Sequence, residues 1–120
     1  MPRSLRSYLW GIDRAAGDIL SFTQGKRLED YEKDAMLRAA VERNFEIIGE
    51  ALSQAARFFP SIAGRITDEQ QIIAFRNRLI HGYSTVRHAL VWDIVQSKLP
   101  KLKQEAGQLL REVAGPNPSL

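Results

Sequence analysis

Apolar residues return every three or four positions along almost the whole chain, and no segment alternates polar and apolar for long enough to make a half-buried strand. That periodicity restricts the protein to packed helices. Leu5, Tyr8, Leu9, Ile12, Ala16, Ile19 and Leu20 mark one face of a first helix, with Gly25 placed to end it. A second helix is predicted from about Leu28 to Arg57, striped by Leu37, Val41, Phe45, Ile48, Leu52 and Ala55 and favoured at its start by Glu29, Asp30 and Glu32. Unbroken, it would be roughly 45 Å long. Pro60 and Gly64 interrupt the pattern. Thr67 with Gln70 reads as a capping box opening a third helix, "TDEQQIIAFRNRLIH", which should stop near Gly82. A fourth fits Val86 to Ser97, and Pro100 suits the first turn of a short C-terminal helix carrying Leu102, Ala106, Leu109 and Val113. The predicted fold class is all-α: an up-and-down bundle of four main helices plus that last one, forming one domain over residues 1–114 with a flexible tail at 115–120.

The 120 residues suffice for one core without covalent staples. There is no cysteine, which excludes disulfide frameworks, thiolate metal sites and cysteine nucleophiles, and which suits a reducing cytoplasm. Arg6, Asp13, Arg14 and Asp18 break the N-terminal segment, so neither a signal peptide nor a membrane span is expected. No phosphate-cradling Gly-rich loop, serine elbow or metal-spaced partner for His88 is present, so no cofactor or metal is predicted. The net charge is only +3, but its placement is informative. Between Arg57 and His88 lie five arginines (57, 65, 76, 78 and 87) against Asp68 and Glu69, an imbalance equal to the whole net charge. Such a cluster is either a solvated surface or an anion site.

The centre of that cluster is "FRNRLIHGY", residues 75–83. Ile72, Arg76, Leu79, Ile80 and Tyr83 fall on one side of the third helix, so Arg76 sits in an apolar stripe. A guanidinium cannot shed its proton there, so it must meet an acid such as Glu46 or Glu50, a cleft, or an anion. His81 lies five positions on, about 140° round the wheel, and does not automatically share a face with Arg76. Asn77 and Arg78, one turn before His81, could orient its ring and raise the local positive potential, and Gly82 lets the chain leave the helix directly after it. The plain alternatives are a histidine that caps a helix end and a tyrosine that only packs. Arginine and histidine without metal ligands suit phosphodiester cleavage by an internal nucleophile: His81 would move the proton of a ribose 2′-hydroxyl and Arg76 would hold the phosphate. Such chemistry requires RNA.

"RNRLIH" resembles the R-x-x-x-x-H signature of HEPN domains, and "HGY" extends it to the R-x-x-x-x-H-x-Y form of HepT-like toxins. "ERNFEIIGEAL" upstream and "VWDIVQSKLPKL" downstream resemble the same family, so the likeness spans about residues 5 to 113. The resemblance implies a homodimer whose paired motifs form a cleft, a metal-independent ribonuclease acting as the toxin of a toxin–antitoxin pair, and a minimal nucleotidyltransferase as cognate antitoxin. By position it makes Arg76 and His81 catalytic, Asn77 supporting, and Tyr83 the acceptor of AMP from the antitoxin. Phosphate and adenosine added there would obstruct an anionic substrate. The alternative reading is a non-catalytic HEPN subunit that binds nucleotide or nucleic acid for a nucleotidyltransferase. A plain dimerisation module would leave Arg76 and the local charge unexplained.

Overall fold

Ser4 opens the first helix, α1 (Leu5–Thr23), its hydroxyl accepting from the Ser7 amide at 3.0 Å. The helix buries Tyr8, Leu9, Ile12, Ala16 and Ile19, while Leu5 and Leu20 lie at the edge of the core. Gly25, just beyond the helix, takes a φ of 74°, which a residue with a Cβ rarely adopts. The computed structural model describes residues 3–114, apart from the side chains of Tyr83 and Ala114. The tail predicted at 115–120 lies outside these residues.

The long second helix predicted from Leu28 to Arg57 is two helices, α2 (Leu28–Lys33) and α3 (Ala35–Phe58). Asp34 divides them. Its backbone is extended, and its carboxylate accepts from the Leu37 amide at 3.0 Å, so it caps α3. The break lets α2 bury Tyr31, whose ring packs beside Trp92 and edge-on to His88. All six stripe residues of α3, from Leu37 to Ala55, are buried.

After a 3₁₀ turn at Pro60–Ile62 the chain enters α4 (Glu69–His81), one residue later than a Thr67 cap would require. Asp68 is the N-cap. Thr67 is engaged elsewhere: its amide and hydroxyl both donate to the Glu105 carboxylate, at 3.0 and 2.6 Å. Two charge-assisted bonds to a distant helix outcompete a local capping box. Arg65 donates to Glu112 at 2.6 Å on the same helix, which holds the Glu112 carboxyl below its ordinary range. A second 3₁₀ turn (Tyr83–Thr85) leads to α5 (His88–Ser97), which starts two residues later than expected because Arg87 is extended.

The last helix, α6 (Leu99–Ala114), is longer than either α4 or α5 and is a full member of the bundle. Pro100 stands in its first turn, and Leu99, Leu102, Ala106 and Leu109 are buried, whereas Val113 is partly exposed. α1 packs between α3 and α6, α4 lies on α3, and α5 contacts α2 and α6. The fold is thus an all-α bundle, as the periodicity required. Among the described residues no helix is long and apolar enough to cross a membrane.

Candidate active site

The site is set by how closely α4 approaches α3. The rings of Phe45 and Phe75 meet edge-on, 5.1 Å apart. One turn further on, Gly49 faces Arg76. A Cβ built on Gly49 would stand 2.3 Å from the Arg76 Cβ and 2.5 Å from its Cγ, so only glycine admits the arginine stem at this crossing. The buried stripe of α4 is Ile72, Phe75 and Leu79, with Arg76 on its margin at 15% side-chain exposure and Ile80 outside it.

Of the partners that an arginine here requires, the structure supplies an acid. Arg76 Nη1 donates to Glu50 Oε2 at 3.0 Å, whereas Glu46 is taken by Arg43 at 3.3 Å. Glu50 is 55% exposed, so water screens the pair and it contributes no more than about 1 kcal/mol. Nor does it satisfy the guanidinium. Arg76 Nε is buried and finds no acceptor among the described residues.

Glu50 is itself held. It accepts from Gln54 Nε2 at 2.7 Å, and Gln54 Oε1 accepts from the Tyr8 hydroxyl at 3.0 Å. The Arg3 guanidinium lies 4.5 Å above the Tyr8 ring. A polar chain therefore runs from α4 over α3 to α1, along one side of an open cavity of about 430 Å³ lined by Tyr8, Arg43, Glu46, Ile47, Glu50 and Gln54 among others.

His81 is the last residue of α4 and is exposed. No hydrogen bond joins it to Arg76; the guanidinium is tied towards α3 while the imidazole stands at the helix end. Gly82 does end the helix, its amide donating to the Arg78 carbonyl at 2.8 Å, but with a φ of −125°. Its missing side chain matters for space: a Cβ would stand 3.3 Å from Thr85 Oγ1. Asn77 is exposed and makes no side-chain hydrogen bond among the described residues, so it does not orient His81 within this subunit. Arg78 Nη2 donates to the Thr85 carbonyl at 3.2 Å, turning its guanidinium towards the α4–α5 junction. The Tyr83 side chain lies outside the described parts. His88 packs on Tyr31. No group of three or more His, Asp or Glu side chains among the described residues could hold a metal ion.

The sequence pointed to Glu50 as a candidate partner but not to Gly49, nor to the link through Gln54 and Tyr8. A glycine inside a long helix was the available signal, because it costs about 1 kcal/mol against alanine unless a close approach requires it.

Residues 12–109, which include Gly49, Glu50, Gln54, Arg76 and His81 but not Arg3 or Tyr8, match the family model described as ribonuclease HepT-like. The chain belongs to that family. It is 32% identical over 107 residues to a Methanocaldococcus jannaschii protein named "Putative RNase MJ1380", covering 86% of this chain and 94% of the relative. It is also 34% identical over 103 residues to "Probable ribonuclease HepT" of Thermococcus cleftensis, covering 86% and 93%. A second M. jannaschii protein, "Putative RNase MJ0127", is 28% identical over 116 residues, covering 96% and 95%. No solved structure matches the chain.

Proposed function

We propose that the protein is a metal-independent endoribonuclease acting as the toxin of a cytoplasmic toxin–antitoxin pair, and that its active site forms where two copies bring their α4 helices together. One observation carries this reading: Arg76 is locked onto α3 by Gly49 and Glu50 with guanidinium donors unused, while the same helix ends on an exposed His81. The two side chains are not joined within one subunit, and a second copy supplies the missing approach. Exposed Ile80 on α4 and Ile47 on α3 flank the Arg76–Glu50 pair and give such a contact its apolar part.

In the reaction the ribose 2′-oxygen attacks the adjacent phosphorus. His81 takes the 2′-hydroxyl proton, the P–O5′ bond breaks, and the departing 5′-oxygen receives a proton from the second copy's imidazolium. The products are a 2′,3′-cyclic phosphate and a 5′-hydroxyl. Arg76 binds the phosphate oxygens as their charge grows, and general acid–base transfer by His81 contributes about 10² to 10⁴ in rate. Neither role requires a metal. Tyr83, two residues after His81, is the acceptor at which a minimal nucleotidyltransferase antitoxin adds AMP, placing negative charge at the mouth of the site.

The test is incubation of purified protein with total cellular RNA in EDTA, wild type beside His81→Ala. Cleavage by wild type alone, leaving 2′,3′-cyclic ends, is the expected result. The Arg76–Glu50 ion pair is also what a non-catalytic nucleic-acid-binding subunit would keep. Failure of the wild type to cut, with Tyr83 shown by mass spectrometry to be unmodified, would favour that second reading.

A further inference from the structure

A second cleft opens beyond His81, on the α5 side of the helix end. Arg78, Thr85, Arg87, Ala89 and Leu90 line it, with a volume of about 410 Å³. Both arginines are exposed, and neither forms an ion pair among the described residues, in contrast to Arg43, Arg65 and Arg76. Backbone holds the Arg78 guanidinium in place. Arg78 donates to the Thr85 carbonyl, the Thr85 hydroxyl donates to the Gly82 carbonyl at 2.7 Å, and the Gly82 amide returns to the Arg78 carbonyl at 2.8 Å. Arg87 is the N-cap of α5 and offers its first turn no side-chain acceptor, so the amide end of that helix adds to the positive potential. The carboxylate of these elements nearest in the sequence, Asp93, lines the neighbouring α4–α5 groove and not this cleft.

We infer that this cleft is an RNA backbone subsite, in which Arg78 and Arg87 clamp a phosphodiester next to the one that is cut. The inference rests on the proposed ribonuclease reading and assigns a substrate contact outside the Arg76–His81 pair. Two planar guanidinium forks around one opening match a tetrahedral phosphate bearing a full negative charge. His81 follows Arg78 by three residues on α4, one turn along the same helix, so a strand held at the clamp is brought beside the imidazole. Leu90 and Ala89 supply an apolar floor and no hydrogen-bonding pattern that would distinguish one base from another. The clamp therefore positions the strand without selecting sequence.

The experiment is equilibrium binding of the whole protein to a labelled 2′-O-methyl RNA oligonucleotide, which lacks the attacking hydroxyl, over a range of salt. Wild type is compared with Arg87→Ala, Arg78→Ala and Arg87→Lys, with inorganic phosphate as competitor. Arg87→Ala is expected to weaken binding several-fold for every sequence tried and to flatten the plot of log affinity against log salt by about 0.7, the value for one lost single-strand phosphate contact. Arg87→Lys should restore the slope. An unchanged slope and affinity in Arg87→Ala and Arg78→Ala, with wild type still cutting RNA, would overturn the clamp and leave the ribonuclease reading standing. Flattened slopes in the variants, beside a wild type that binds but never cuts, would support the clamp and overturn the cleavage chemistry. Displacement by millimolar phosphate as readily as by RNA would identify an anion pocket with no strand specificity and overturn the subsite.

Discussion

Arg76 is held by a shape and by a charge, and the two are not equal. Glu50 is more than half exposed, so replacing it leaves a guanidinium that water still reaches from one side. Gly49 is buried under the arginine stem, and a methyl group there overlaps atoms that belong to α4 itself and cannot swing away. Glu50→Gln is therefore expected to cost about 1 kcal/mol or less. Gly49→Ala should cost about 1–3 kcal/mol from overpacking, partly offset by alanine's better helix propensity. Urea unfolding of both variants checks the order. Greater damage from Glu50→Gln would mean that charge and not fit seats Arg76. RNA cleavage should fall in both, because each frees the guanidinium from one constraint. That Arg76 would need a partner was legible from its place in an apolar stripe, since no physical alternative exists for a permanent charge. Which of Glu46 and Glu50 it takes was not legible, because both lie on the facing helix within reach and only the crossing at Gly49 decides.

The helices themselves were legible wherever burial is one-sided, and their ends were not. The stripe from Leu37 to Ala55 is buried as spaced, because a 3.6-residue period leaves an amphipathic helix only one way to face a core. Asp34 and Thr67 went otherwise for a shared reason: each has a side chain able to bond backbone or carboxylate groups, and tertiary contact chose between outcomes that local sequence leaves nearly equal. Asp34 capped a helix whose predicted span ran through it, and Thr67 left its cap to bind Glu105. The Thr67–Glu105 and Arg65–Glu112 bonds fasten the segment before α4 to α6, and so fix where α4 begins. Glu105→Ala removes two hydrogen bonds to a partly buried carboxylate, and a loss of about 1–3 kcal/mol is expected. Hydrogen exchange would place the loosening in residues 65–70 and the first turn of α4, with α1 and α3 still protected. Uniform loosening of the bundle would show that this strap carries no local role.

At the scale of the whole molecule the proposed function raises the question of how two separated side chains would serve one phosphate. A helix of fixed geometry keeps Arg76 and His81 on different faces, and no bending of α4 relieves this without breaking the α3 contact at Gly49. Under the proposed function, two copies related by a two-fold axis through the ends of their α4 helices would resolve it, since each would contribute both groups to a shared cleft. The clustered arginines would repel across that axis, and Glu50 beside each Arg76 reduces the repulsion before any RNA arrives. A stable contact must bury about 1,200 Å² or more in total, and Ile80 and Ile47 lie where its apolar centre would fall. Ile80→Glu is thus expected to give single copies by light scattering at concentrations where wild type is paired, with helicity unchanged by circular dichroism and RNA cleavage lost. Met36 serves as the control: it is 84% exposed, some 21 Å from Glu50 along α3 at about 1.5 Å per residue, and Met36→Glu should leave pairing and cleavage intact. A wild type that cuts RNA while remaining single would return both roles to one subunit, and would require α4 to open beyond Arg76 so that His81 can turn back towards the guanidinium.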